Sequence, residues 1–379
     1  MKEHIYLDNS ATTRVCKTAV EYINRCLTEC YGNPSSLHRL GVEAQIEADL
    51  TRESVASLLS CRSDEVYFTG SGTEANNTAI FGAVVARSKR GKRIVTTTLE
   101  HPSVLECMKK LETDGFEVIR LAPQENGVIS EDELRNAINN DTILVSIMLV
   151  NNETGAIQPV SSARSAIDNC KAPALLHCDA VQAFGKMKIN MQSLGADLLT
   201  ASGHKIHGPK GIGVLYKKKG VHIAPLILGG GQEAGLRSGT ESVPLISGLR
   251  GAIEELPDTA AALKKISELN IHARDVLTKT GFIKINSHEN ALPYVLNISV
   301  PGYRSETLLH FLEAKGIYVS SGSACAKGHG SYVLSEMGLK QTEVDSALRV
   351  SFSRFNTKEE IDKLCDALSE AKAKLRSSR

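Results

Sequence analysis

A lysine follows a short apolar stretch in Ser202-Gly203-His204-Lys205, with a hydroxyl, an imidazole and a glycine around it. An amine buried beside other cations loses its proton more readily and can condense with an aldehyde. Lys210, in the turn Gly208-Pro209-Lys210-Gly211, is the rival, and a solvated lysine is the ordinary occupant of such a turn. Asp179 closes the apolar run 174–178. A carboxylate there costs desolvation energy unless something cationic or protonated meets it. A protonated ring nitrogen would do so, with Gln182 bonding a ring substituent; a helix N-cap is the plain alternative. Gly70-Ser71-Gly72-Thr73 ahead of a helical stretch offers backbone N–H groups and a hydroxyl to an anion. It does not match the nucleotide loop Gly-x-x-x-x-Gly-Lys-Ser/Thr, and a glycine-rich turn with a capping hydroxyl explains it equally well. His101, before Pro102, is an acid/base, a flat surface for an aromatic ligand, or a turn residue. Asn152, in Asn151-Asn152-Glu153-Thr154-Gly155, orients a ligand or forms a turn.

These groups share one kind of place. Strand-like runs at 65–69, 93–97, 117–121, 142–150, 174–178, 198–201 and 213–216 alternate with helical stretches at 42–59, 74–89, 103–113, 131–139 and 161–169. The pattern predicts an α/β fold, with a large domain built on a mainly parallel seven-stranded sheet covered by helices. After Gly229-Gly230-Gly231 it changes: a helical region at 243–279 broken near Pro257, strands at 294–300, 317–320 and 347–352, and helices at 305–315 and 358–374. This second part reads as a smaller α+β domain. The boundary is placed at residue 255, with residues 1–13 joining residues 256–379. Ligands of open α/β sheets bind beyond the carboxyl ends of the strands. Five such exits carry an anion cradle, a His, an Asn, an Asp and a Lys. Together that is the set needed to hold an aromatic, phosphorylated aldehyde cofactor.

The bulk numbers add exclusions. Among 379 residues, 44 basic and 43 acidic side chains give a net charge of +1, so no whole-chain field favours nucleic acid or an anionic membrane. No run approaches the roughly 20 apolar residues of a membrane span, and the first eight residues contain no apolar signal core. The expectation is a cytoplasmic protein with no direct nucleic-acid or membrane partner. Nine cysteines at irregular spacing, with no Cys-x-x-Cys, argue against a disulfide framework or a zinc site. Cys325 lies in a glycine- and serine-rich stretch with Lys327 and His329 nearby, cations that favour a thiolate, although for an isolated cysteine the plain reading is a free thiol in a surface loop.

The motifs, taken in order, resemble the cysteine desulfurases of the class V aminotransferase superfamily, fold-type I pyridoxal-phosphate enzymes. The similar stretches are Tyr6-Leu7-Asp8-Asn9-Ser10-Ala11-Thr12-Thr13, Asn33-Pro34-Ser35-Ser36-Leu37-His38, Gly72-Thr73-Glu74-Ala75-Asn76-Asn77, 151–155, 202–211, 229–240, Ser320-Ser321-Gly322-Ser323-Ala324-Cys325 and Arg349-Val350-Ser351-Phe352. The resemblance implies pyridoxal 5'-phosphate bound through Lys205, with Asp179 on the pyridine nitrogen and Gln182 on the ring oxygen. It implies that His101 stacks on the ring and shuttles protons. Gly72, Thr73, Ser202 and His204 would belong to the phosphate site, with Thr240 entering from a second subunit of a homodimer. Asn152 and Arg349 would fix the substrate carboxylate. Cys325 would attack the sulfur of L-cysteine and keep it as a persulfide for an acceptor in iron–sulfur cluster assembly or in tRNA or cofactor thiolation. A selenocysteine lyase or a class V aminotransferase is the alternative, and an aminotransferase would not need Cys325. The sequence departs from the family in one place: only Ala326–Gly330 separate Cys325 from Ser331, fewer residues than usual. That shortening bears on the identity of the acceptor.

Overall fold

The computed structural model describes residues 4–322 and 330–376. The chain enters through β1 (Ile5–Tyr6). Seven strands then build the large sheet: β2 (Val66–Thr69), β3 (Arg93–Thr97), β4 (Glu117–Leu121), β5 (Thr142–Met148), β6 (Leu175–Asp179), β7 (Leu198–Ser202) and β8 (Gly213–Lys217). Their order is β2-β8-β7-β6-β5-β3-β4, and β8 alone runs antiparallel to its neighbours. Every residue of β5 is buried, as its near-continuous apolar run requires of a strand covered on both faces.

Helix α1 (Lys17–Thr28) has no counterpart among the sequence expectations. Cys16, Ala19, Ile23 and Cys26 fall at helical spacing along its inner side, a narrow stripe of mostly small side chains. It packs closely on the helix Val243–Glu254, where small residues let the backbones approach. A Cβ at Gly251 would come within 2.8 Å of Ala19 Cα. Helix α2 (Arg39–Leu59) follows. Helix α3 (Gly72–Arg87) is capped by Ser71, whose Oγ accepts from the Glu74 N–H at 3.1 Å. It lays Ala75, Ala79 and Ala83 into the core. Helix α4 (Pro102–Thr113) begins at the proline that suits a first helical position.

The helical region from residue 243 breaks where Pro257 predicts it. Asp258 then caps Thr259–Lys279 by accepting from the Ala260 and Ala261 N–H groups. Beyond lie β9 (Lys284–Ile285), which the sequence pattern does not mark, β10 (Val295–Ser299), β11 (Ile317–Tyr318) and β12 (Ala347–Ser351). The order β12-β10-β9 is an antiparallel sheet, and β1 pairs in parallel with β11. Among the described residues no helix is long and apolar enough to cross a membrane.

Candidate active site

The carboxyl ends of β2, β3, β5, β6 and β7 share one edge of the sheet and surround a cavity of about 420 Å³. Gly72 and Thr73 line it after β2, His101 after β3, Asn152 after β5, Asp179 and Gln182 after β6, and Ser202, His204 and Lys205 after β7; Arg349 comes from β12. Thr240 is exposed and does not line it. Cys325 lies outside the described residues.

The floor is made by close approach. A Cβ on Gly72 would meet Val181 Cγ2 at 3.0 Å and Ser202 Cβ at 3.4 Å, so a glycine lets the amino end of α3 come against the exit of β7. Gly213 matters more: a Cβ there would lie 2.4 Å from the Ser71 backbone. The N-terminus of α3, the Thr73 and Ser202 hydroxyls and the His204 ring therefore converge at one end of the cavity, a donor set for an anion.

Lys205 Nζ donates to the Ser10 carbonyl at 2.5 Å and to the Ala11 carbonyl at 2.9 Å, which brings the start of the chain over the lysine. Its rival Lys210 also lines the cavity but is exposed. Asp179 is buried, and both its oxygens accept: Oδ1 from the Val181 N–H at 2.9 Å, Oδ2 from Asn76 Nδ2 at 2.8 Å. Asn76 Nδ2 also donates to Ser103 Oγ at 2.9 Å, and Asn76 Oδ1 accepts from the Thr200 hydroxyl at 2.5 Å. Every polar group of that amide is thus satisfied inside the protein.

His101 caps α4: its Nδ1 accepts from the Ser103 N–H at 3.1 Å and lies 2.8 Å from Ser103 Oγ. With Nδ1 committed as an acceptor, the proton of a neutral ring sits on Nε2. Burial holds the His101 pKa below the usual imidazole value and outweighs the upward pull of Asp179; Lys205 adds to the lowering. His204 is pushed down to about 4, first by burial and then by Lys205. Its Nδ1 lies 3.2 Å from Thr12 Oγ1.

Arg349 is 2% exposed. It donates from Nη1 to the Asn152 carbonyl at 3.1 Å and from Nη2 to Asp8 Oδ1 at 2.9 Å. Its Nε, Asn152 Oδ1 and Ser10 Oγ are buried without a hydrogen-bond partner among the described residues. Unsatisfied polar atoms on three lining residues are what a polar ligand completes. With an anion cradle, a buried carboxylate, a lysine and a guanidinium all lining one cavity, the donor set fits pyridoxal phosphate together with an amino-acid carboxylate.

Comparison with known proteins agrees. Residues 5–364 match the family Aminotransferase class-V. A cysteine desulfurase of Nostoc sp. is 42% identical over 98% of this chain and 94% of its own. The cysteine desulfurase IscS of Methanosarcina thermophila is 42% identical over 98% and 93%. This chain belongs to the cysteine desulfurases of the class-V aminotransferase family. Pyridoxal phosphate is accordingly its cofactor. Among solved structures, a NifS-like protein superposes with a TM-score of 0.93 at 38% identity, covering 98% of this chain and 100% of that one. SspA, solved in complex with cysteine, superposes with a TM-score of 0.82 at 33% identity, covering 93% and 100%.

The desulfurase cavity also contains residues that sequence reasoning gave no role: Ser10, Asn76 and Ser103 on its wall, and Asp8 behind Arg349. Glu100, beside His101, is fully buried, and burial pushes its carboxyl up to about 8. Asn76 and Asp8 stand inside motifs that carried the resemblance, which is the one signal the sequence held for them.

Proposed function

We propose that this chain removes sulfur from L-cysteine, releases L-alanine, and holds the sulfur as a persulfide on Cys325 for delivery to an acceptor protein. The supporting observation is the convergence of Lys205, Asp179, His101 and Arg349 on one cavity. Bound pyridoxal phosphate supplies a protonated ring that takes up the electron pair of the substrate Cα–H bond. Lys205 Nζ would hold the cofactor and would receive the substrate Cα proton. Asp179 would pair with the ring nitrogen; the Asn76 and Val181 donors hold its oxygens in place. Thr73, Ser202 and His204 bind the phosphate with the amino end of α3. Arg349 and Asn152 bind the substrate carboxylate. His101, neutral with its proton on Nε2, carries protons within the cavity. The Cys325 thiolate attacks the substrate sulfur: an S–S bond forms, the Cβ–S bond breaks, and the carbon skeleton leaves as alanine after protonation.

The protein acts as a homodimer in which Thr240 enters the partner's cavity. Thr240 is exposed and outside its own cavity, and Leu228 nearby is 79% exposed, which supports a covering copy. The division into a cofactor domain (14–255) and a smaller domain (1–13 with 256–379) is supported by the pairing of β1 with β11. The acceptor is an iron–sulfur scaffold or a thiolation enzyme. The cytoplasm suits eight described cysteines that are all free thiols. The test supplies purified protein with pyridoxal phosphate and L-cysteine. Alanine should form in step with protein-bound persulfide, and Cys325→Ser should keep the cofactor absorbance but lose both products. Full desulfuration by Cys325→Ser would overturn the mechanism.

A further inference from the structure

Lys186 is buried behind the cavity, and the mechanism above gives it no task. Its side chain leaves the turn that follows β6, is 6% exposed, and lies with Nζ 5.7 Å from the centre of the Tyr294 ring. Burial, and then the charges of Lys205 and Arg349, bring its pKa down to about 7. His204 and His207 also feel its charge. A buried lysine is costly unless it does something that an apolar side chain of the same size would not.

What it does in the structure is specific. Lys186 Nζ donates to Gln182 Oε1 at 2.9 Å. From the opposite side, Gln182 Nε2 donates to the Ser10 carbonyl at 3.0 Å, the same oxygen that receives Lys205 Nζ. A carbonyl oxygen only accepts, and below about pH 7, where Lys186 is an ammonium, its Nζ only donates, so the two neighbours fix the Gln182 amide from both ends. Turning it over would set the amide NH2 against the ammonium and the amide oxygen against the carbonyl. Gln182 lines the cavity. With Oε1 turned to Lys186 and one N–H on Ser10, the group it has left to offer is its second N–H.

Resting on the reading of this cavity as a pyridoxal-phosphate site, we propose that Lys186 is a positioning residue that makes Gln182 a donor only, so that the site favours the deprotonated state of the cofactor's ring oxygen. An anionic oxygen accepts the remaining N–H. A protonated ring hydroxyl would need an acceptor, and the locked amide gives it none. A hydrogen bond to a charged partner differs from its absence by enough to change the ratio of the two ring-oxygen states roughly tenfold.

The test is a double-mutant cycle read by absorbance, without substrate or turnover. Holoprotein is held at about pH 6, below the Lys186 pKa, and the ratio of the long-wavelength band (ring oxygen deprotonated) to the near-ultraviolet band (ring oxygen protonated) is recorded for wild type, Lys186→Met, Gln182→Leu and the double variant. Methionine matches the lysine stem and lets the amide turn. The expected result is a ratio about tenfold lower in Lys186→Met than in wild type, and no further change when Lys186→Met is added to Gln182→Leu. The same shift in both backgrounds would mean that Lys186 acts by charge alone, and would overturn the proposal; so would no shift at all. If Lys186→Met does not fold, Lys186→Gln takes its place: its amide presents either an N–H or an oxygen to Gln182, so the donor-only lock is gone and the band ratio should fall below wild type, and a wild-type ratio there would overturn the proposal as well. Wild-type protein that takes up no pyridoxal phosphate would overturn the reading of the cavity and this inference with it. A coloured wild type with an unresponsive Lys186→Met overturns the inference alone.

Discussion

Arg349→Lys tests the substrate end of the cavity most directly, because it keeps the charge and removes only the fork. Arg349 divides its N–H groups: Nη2 to Asp8 Oδ1 at 2.9 Å, Nη1 to the Asn152 carbonyl at 3.1 Å, and Nε buried with no partner among the described residues. A planar guanidinium can keep both protein contacts and still present a donor to a carboxylate. An ammonium is a single point. If it stays with Asp8, it leaves the Asn152 carbonyl and the substrate; if it turns to the substrate, it leaves Asp8. Either way one or two charge-assisted hydrogen bonds go, each contributing about 1.5–3 kcal/mol, partly offset by the retained charge. A net loss of about 2–4 kcal/mol corresponds to a fall of roughly 30- to 700-fold in kcat/KM for L-cysteine. Because the carboxylate is bound before and during the reaction, most of that loss should appear in KM. The assay is alanine formation over a range of L-cysteine, with the visible absorbance of bound cofactor as the control for an intact site. A KM within about threefold of wild type, with the cofactor in place, would refute the assignment of Arg349 to the carboxylate.

Two further outcomes follow from the geometry. Lys205→Ala should lose the absorbance of covalently held pyridoxal phosphate and all cysteine-dependent alanine formation, whereas Lys210→Ala should keep the covalent absorbance; absorbance spectra of the two purified variants decide between the lysines. Stability should fall toward acid: burial pushes His177 and His204 down to about 4 from 6.5, so their contribution is fully present above 6.5 and is lost as pH falls through 4. Glu100, pushed up to about 8 from 4.5, works in the other direction, its contribution being present below 4.5 and lost as pH rises through 8. His207, also pushed down to about 4, adds to the acid side, and Lys186, pushed down to about 7 from 10.5, offsets Glu100 above pH 7, so urea midpoints of apoprotein should rise steeply from pH 4.5 to about 6.5 and change little from about 7 to 8.

The sequence by itself determined the elements and the chemistry at their ends. Alternation of apolar runs with helical stretches marks the seven strands of the large sheet to within a residue or two, because period and burial are local properties of the chain. The residues after those runs are legible for the same reason: Lys205 after β7, Asp179 at the end of β6 and His101 after β3 are each set by a short segment. Tertiary structure alone decided which distant groups meet. Asn76 reaches Asp179 across 103 positions, and Lys205 reaches the Ser10 carbonyl across 195, because α3 and the chain start both pack over the strand exits. Asp8 finds Arg349 across 341 positions because the chain crosses from β1 to bridge the end of β12. Lys186 in Phe184-Gly185-Lys186-Met187 has the look of a surface charge, and nothing local says that it is buried. Helix α1 is harder to read locally because its stripe is short and built mostly of small side chains, which pack on the glycines of a helix more than 200 residues away. Local pattern records what each segment buries; the pairing of segments is settled by sheet order and close backbone approach, which no window of the sequence contains.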